Sequence, residues 1–141
     1  MRHFFDTSVL VPVFIDQHIH HEASLRAYLK ADKKHDCCGV HSLAEVYSTL
    51  TRLPPSHRAS ADQAMLFLED MERRMTFIAL DAEECWAAIA DAAKTGVAGG
   101  LTYDALLGLC ALKAKAETIY TWNVGHFQQL GTNVERLIRT P

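Results

Sequence analysis

Four polar residues lie at positions where they could bind a ligand or take part in catalysis. Asp6 ends a buried apolar run in RHFFDTSVLV, and Asn123 directly follows the apolar segment TIYTW. Glu45 and Asp104 fall in the first turns of two predicted helices. A buried carboxylate is costly unless it is paired or binds a cation. Carboxylates brought close together also repel one another unless a cation lies between them, so these residue types indicate a metal-binding site.

The spacing of apolar residues predicts the elements that position these side chains. Strands are expected at residues 2–6, 36–41, 76–80 and 118–122, with a last strand at 134–138. Helices are expected at residues 8–15, 20–33, 43–53, 57–73, 81–96, 102–117 and 123–130. Strands separated by helices predict an α/β fold with a parallel sheet covered on both faces. Ligands of such sheets bind at the carboxyl ends of strands, where all four polar residues can meet in one crevice.

Each of the four residues also has a purely structural explanation. Glu45 lies three residues after Ser42, which is the spacing of a capping box. Asp104 and Asn123 are favoured residue types at the start of a helix. Asp6 could cap the helix that follows it. The combination of the four favours a functional site more than any one of them does.

The composition is that of an ordinary globular protein with a single core. The chain has 141 residues, of which 49% are hydrophobic and 22% charged. The net charge of −3 argues against a general nucleic-acid coat, so any contact with nucleic acid must be local or helped by metal ions. No signal peptide or membrane-length apolar run is present, which predicts a cytoplasmic protein. The four cysteines lack zinc spacing and are predicted to be reduced core thiols: Cys37, Cys38, Cys85 and Cys110.

Three segments carry a resemblance to a known family. They are FFDTSVLV from residue 4, SLAEVYSTLTRLP from residue 42, and GLTYDALLGLCALKAKAETIYTWNVGHF from residue 100. In order and spacing they resemble the PIN-domain family, and most of all the VapC-like ribonuclease toxins of bacterial toxin–antitoxin pairs. The resemblance implies a single PIN domain over residues 1–141, with a three-layer α/β/α sandwich around a central parallel sheet.

The same resemblance implies a metal-dependent endoribonuclease. Asp6, Glu45 and Asp104 match the family's core acidic positions. A cluster of carboxylates suits Mg²⁺ or Mn²⁺, and we expect Asp6 and Asp104 to ligate the ion while Glu45 ligates it or orients the water. Such an ion lowers the pKa of bound water and neutralises charge on the phosphate. Hydrolysis in this family leaves a 5′-phosphate and a 3′-hydroxyl.

Further residues match the family's site less directly. The fourth acidic position is commonly Asp, and here it is Asn123, so the occupancy of a second metal site stays open. Thr121 matches a hydroxyl position near the site. Thr7 or Ser8 is expected to hold Asp6 in place.

Other motifs point elsewhere or stay ambiguous. Haloacid-dehalogenase-type phosphatases need a second Asp where this chain has Ser8, and TGVAGGLT lacks the Lys of a P-loop. The histidines at positions 18, 20 and 21 are predicted to be a solvated helix start rather than a metal site. Trp122 either stacks on a base or packs against the sheet. Arg52, His57 and Arg58 flank the Pro-Pro turn, where they either meet RNA phosphate or lie in a solvated loop.

The implied partners follow from the resemblance. They are an RNA substrate, a cognate antitoxin and a second copy of the chain in a homodimer, with no membrane. The alternative is a PIN-fold module that binds RNA or protein with weak or no catalysis, for which Asn123 is the only hint in the sequence. Cleavage of RNA with Mg²⁺ or Mn²⁺, with and without chelator, separates the two.

Overall fold

Five short strands form one sheet in the computed structural model, which describes all residues from Met1 to Pro141. The strands are β1 His3–Phe5, β2 Asp36–Gly39, β3 Thr76–Ile78, β4 Thr118–Tyr120 and β5 Ile138–Arg139. Their order is β3-β2-β1-β4-β5, and each neighbouring pair is parallel. The chain therefore builds one side of the sheet from β1 to β3 and the other side from β4 to β5. The switch between the two sides falls at β1 and β4, where parallel sheets form their ligand crevice.

Helices cover both faces of this sheet. They are α1 Thr7–Leu10, α2 His21–Leu29, α3 Val40–Thr51, α4 Ala61–Arg74, α5 Ala82–Thr95, α6 Leu101–Lys113, α7 Val124–Gln128 and α8 Thr132–Glu135. A 3-10 turn, Val11–Phe14, extends α1. No helix is long and apolar enough to cross a membrane.

Two apolar clusters hold the layers together, one on each face of the sheet. Side chains alternate along a strand, so the consecutive residues Phe4 and Phe5 belong to different clusters. Phe5 packs with residues of α1 to α4, including Leu50 and Phe67. Phe4 packs with residues of α6 to α8, including Leu107. The predicted α/β class and the three-layer arrangement around a parallel sheet are confirmed.

Several predicted boundaries differ from the structure for identifiable reasons. The helix expected at 8–15 is α1 followed by a 3-10 turn, because Pro12 has no N–H to continue the α-helix. The helix expected at 57–73 begins only at Ala61, since Ser60 and Gln63 form a capping box. The last strand expected at 134–138 is wrong: α8 occupies its first residues, and β5 has only two residues.

The cysteines are free, as predicted. Cys37, Cys38 and Cys110 are buried, and Cys85 is half-buried. Burial raises the pKa of Cys37 to about 12, so this thiol stays protonated at neutral pH.

Candidate active site

A cavity of about 440 Å³ lies at the carboxyl ends of β1 and β4. The predicted residues Asp6, Glu45, Asp104 and Asn123 all line it. Its remaining wall is formed by Thr7, Ser8, Val11, Pro12, His18, His20, Thr49 and Trp122. The structure thus brings the four predicted residues, each from a separate segment of the chain, around one space.

Asp6 lies at the bottom of the arrangement, with 1% of its surface exposed. It follows β1 directly and caps α1, because its Oδ2 accepts the backbone N–H of Ser8 at 3.3 Å. The same oxygen accepts the Ser8 hydroxyl at 2.5 Å and the Thr121 hydroxyl at 2.8 Å. No side-chain hydrogen bond reaches Oδ1, in contrast to Oδ2. The structural role as a cap and a role in a site are therefore compatible.

The two hydroxyls that hold Asp6 also fix the end of β4. Thr121 is fully buried, and its Oγ1 accepts the backbone N–H of Asn123 at 3.0 Å. Ser8 Oγ accepts the backbone N–H of Trp122 at 2.9 Å. Ser8 and Thr121 therefore join the segments after β1 and β4 into one hydrogen-bonded unit.

Glu45 reaches the cavity from α3. Its Oε1 accepts a hydrogen bond from Thr7 Oγ1 at 3.2 Å and lies 3.7 Å from His41 Nε2. The capping box expected for Ser42 and Glu45 is absent, because α3 already begins at Val40 and has no side-chain cap. Ser42 is instead buried, with its hydroxyl 2.9 Å from that of Thr7. This removes the structural explanation of Glu45 as a helix cap.

Asp104 and Asn123 complete the set of predicted residues around the cavity. Asp104 lies in the first turn of α6, and its Oδ2 is 3.1 Å from His126 Nδ1. Asn123 occupies the N-cap position of α7, but its side chain makes no capping hydrogen bond. Its exposed amide is therefore available to a ligand.

The electrostatics of the three carboxylates are unfavourable without a cation. Burial raises the pKa of Asp6, against the lowering effect of its hydrogen bonds from Ser8 and Thr121. Burial also raises the pKa of Glu45 and Asp104, and repulsion from Asp6 raises both further. His41 and His126 oppose these shifts only in part. A divalent cation in the cavity would relieve this strain.

The donor set around the cavity fits a hard cation. It offers carboxylate and amide oxygens, which are the ligands that Mg²⁺ and Mn²⁺ prefer. No three His, Cys, Asp or Glu side chains are already grouped closely enough to enclose an ion on their own. An ion held here would have to complete its coordination with water, as Mg²⁺ does in proteins.

Two histidines in the cavity wall were not predicted there. His18 and His20 are half-buried rather than solvated, because the loop before α2 folds back toward the sheet. The His20 ring stacks on Trp122 with 3.8 Å between the ring centroids, and Trp122 Nε1 donates to the buried Ser24 Oγ. Trp122 is thus half-buried against the apolar cluster that contains Phe5, which agrees with the expected packing, and it also lines the cavity. Nδ1 of His21 lies 2.8 Å from the carbonyl oxygen of Pro12, a contact that no sequence pattern predicts.

The sequence is similar to characterised proteins over most of its length. A family model described as the PIN domain matches residues 3–130. Ribonuclease VapC40 of Mycobacterium tuberculosis is 40% identical over 118 residues, which cover 81% of each chain. Ribonuclease VapC27 of the same species is 35% identical over 113 residues, 79% of this chain and 78% of that protein.

Solved structures share the fold at lower sequence identity. The M. tuberculosis toxin VapC20, described as cleaving the sarcin–ricin loop, superposes with a TM-score of 0.70 at 15% identity, over 88% of this chain and 92% of that chain. A chain of VapBC2 from Rickettsia felis, solved with a DNA fragment from its promoter, gives a TM-score of 0.65 at 17% identity. The match covers 99% of this chain and 98% of that chain. Together with the matches in sequence, these comparisons show that the chain belongs to the PIN-domain family.

Proposed function

We propose that this chain is a single PIN domain that acts as a metal-dependent endoribonuclease, the toxin of a toxin–antitoxin pair. The observation that carries the proposal is the cavity at the switch point of the sheet, where Asp6, Glu45 and Asp104 face one space. The relatives VapC40 and VapC27, which are named ribonucleases, support the same activity.

The proposed mechanism assigns each carboxylate a task. Asp6 and Asp104 would hold Mg²⁺ or Mn²⁺. When bound, such an ion lowers the pKa of water and neutralises charge that develops on the phosphate. Glu45 either ligates the ion or accepts a proton from the attacking water. Attack on the phosphorus with departure of the 3′-oxygen leaves a 5′-phosphate and a 3′-hydroxyl.

The remaining polar residues orient the carboxylates. Ser8 and Thr121 fix Asp6 through Oδ2, and Asp6 lines the cavity in this orientation. Thr7 holds Glu45, and His126 holds Asp104. Asn123 brings an oriented dipole but no charge, so its contribution to metal binding is smaller than that of Asp6.

The proposed partners are an RNA substrate, a cognate antitoxin and a second copy of the chain, all met in the cytoplasm. The shared fold of a chain in the VapBC2 complex supports the proposal of an antitoxin partner. For the homodimer, α4 leaves Met65 47% and Leu66 66% exposed, which is apolar surface that an interface would cover. Light scattering at micromolar concentration should show a species larger than the 15.7 kDa monomer. A sample that contains only the monomer would contradict the homodimer.

The function is tested by incubating labelled RNA with the protein in Mn²⁺ or Mg²⁺, with and without EDTA. We expect cleavage that EDTA abolishes and that added metal restores. RNA binding without cleavage under any metal condition would instead favour the second candidate, a PIN-fold binding module. The observation that favours this second candidate is the uncharged, exposed Asn123 at the fourth position.

A further inference from the structure

A second cavity, of about 430 Å³, adjoins the carboxylate cavity and shares Glu45 and Thr49 with it. We propose that this cavity is a nucleotide-binding subsite, in which a base and a phosphate of the RNA strand are held beside the scissile bond. The proposal rests on the proposed ribonuclease function and names residues that position its substrate. The residues lining the subsite, apart from Ala44, are His41, Glu45, Ser48, Thr49, Arg52 and Tyr103.

The subsite is built on the same elements as the carboxylates. Residues three and four positions apart lie on one face of a helix, so the α3 residues of the subsite form a continuous stripe that includes Glu45. Tyr103 comes from α6, where it directly precedes Asp104. A nucleotide bound here is therefore fixed relative to the carboxylates.

Two aromatic rings form the platform of the subsite. His41 and Tyr103 stack nearly parallel, with 5.2 Å between centroids and an angle of 7°. Tyr103 is 52% exposed, so the ring pair lies at the surface rather than in the core. Exposed aromatic rings beside a basic side chain are the means by which proteins bind single-stranded nucleic acid, because every base has a face that stacks.

Arg52 supplies the positive charge. It is the only Lys or Arg that lines either cavity, and it forms no ion pair. By contrast, Arg58, Arg74 and Arg139 each have a partner within the chain. Arg52 follows Glu45 by seven positions, about 10 Å along a helix at 1.5 Å per residue. We therefore expect it to meet a phosphate beyond the scissile one.

The chemistry of the subsite favours RNA over a protein partner. Aromatic rings and arginines also occur in protein interfaces, so the ring pair and Arg52 do not decide between the two partners. What favours an RNA strand is that the cavity adjoins the carboxylate cavity through Glu45 and Thr49 and adds the hydroxyls of Ser48 and Thr49. The hydroxyls suit the 2′-hydroxyl, which distinguishes RNA from DNA.

The test measures binding of a fluorescently labelled single-stranded oligoribonucleotide by anisotropy in Mg²⁺. The Asp6→Asn protein serves as the background, so that the RNA stays intact. Tyr103→Ala should weaken binding on the order of 5- to 150-fold, as loss of one base–aromatic stack does, whereas Tyr103→Phe should bind nearly normally. Arg52→Ala should lower the slope of log affinity against log salt by about 0.7, the value for one phosphate contact on a single strand.

Matched controls are available on other surfaces. Trp86 is an aromatic residue of α5 with 79% exposure, and Arg26 is an exposed arginine of α2. Trp86→Ala and Arg26→Ala should leave both affinity and salt slope unchanged. Thermal midpoints of all variants check that each protein is folded.

The outcomes separate this inference from the proposed function. If wild-type protein cleaves RNA but Tyr103→Ala and Arg52→Ala bind like their controls, the subsite is wrong and the ribonuclease stands. If those two variants keep RNA affinity but lose self-association, the cavity is a contact between protein chains and the subsite is again wrong. If wild-type protein neither binds nor cleaves RNA, the proposed function fails first.

Discussion

Thr121 Oγ1 lies 2.8 Å from Asp6 Oδ2, in a buried hydrogen bond between residues 115 positions apart. The bond joins the ends of β1 and β4, the adjacent strands at the switch point of the sheet. Thr121 also accepts the backbone N–H of Asn123, so one hydroxyl organises both sides of the cavity. The position of Asp6 therefore depends on the pairing of β1 with β4 as well as on its own turn with Ser8.

Thr121→Val should weaken the site and the fold together. The substitution keeps the shape of the side chain, but it removes a donor to Asp6 and leaves the N–H of Asn123 without its acceptor. We expect a fall of about 1–3 kcal/mol in the free energy of unfolding, measured in urea, and a slower RNA cleavage. Thr121→Ser keeps the hydroxyl and is the control. Equal stability of the Val and Ser variants would show that the bond has no such role.

The carboxylates should make the metal-free protein less stable as the pH rises. Burial raises the pKa of Asp6, so the folded state binds its proton more tightly than the unfolded state does. This group stabilises the fold below its unfolded pKa, and the contribution is lost as pH rises through the raised folded pKa. In EDTA, the thermal midpoint of wild type relative to Asp6→Asn should fall as the pH rises from about 4, the ordinary range of a carboxyl group, through the raised pKa of Asp6.

Metal should reverse that trend, because an ion binds the deprotonated carboxylates. Adding Mn²⁺ should raise the midpoint of wild type more at the higher pH, and should have little effect on Asp6→Asn. A difference between the two proteins that stays constant across this pH range would contradict the role assigned to Asp6.

The part of the site that the sequence predicts consists of side chains that lie just after the ends of strands. Asp6 comes immediately after β1, and Asn123 lies three residues beyond the end of β4, so the parallel sheet brings the two segments together. His18 and His20 lie in a loop whose path depends on Pro12 and on Trp122, which is far away in the chain. The predicted last strand, 134–138, differs from β5 for a similar reason, since a two-residue edge strand is defined by its pairing with β4 and not by a pattern of its own.

Packing at the start of α3 should also matter, because this helix carries Glu45. A Cβ at Gly39 would lie 2.7 Å from Cδ2 of the buried Leu107. Gly39→Ala should therefore cost about 1–3 kcal/mol of unfolding free energy and slow the cleavage of RNA. Urea denaturation of the variant measures this loss.

Gly108 provides the matched control on α6. A Cβ there would lie 3.4 Å from Val134, an ordinary contact, and Ala is favoured over Gly within a helix by up to about 1 kcal/mol. Gly108→Ala should therefore be neutral or stabilising. The packing argument is contradicted if both variants change stability in the same direction by the same amount.

The most direct test of the metal-dependent ribonuclease compares Asp6→Asn and Asn123→Ala with wild type. RNA cleavage is measured at saturating Mn²⁺, and the thermal midpoint of each protein is measured in EDTA. Asp6→Asn should abolish cleavage while its midpoint holds or rises, because a neutral amide is buried at lower cost and relieves repulsion from Glu45 and Asp104. Asn123→Ala should reduce cleavage less, since it removes no charge. Cleavage by Asp6→Asn near the wild-type rate would contradict the account, and loss of cleavage through unfolding alone would make Asp6 a structural cap.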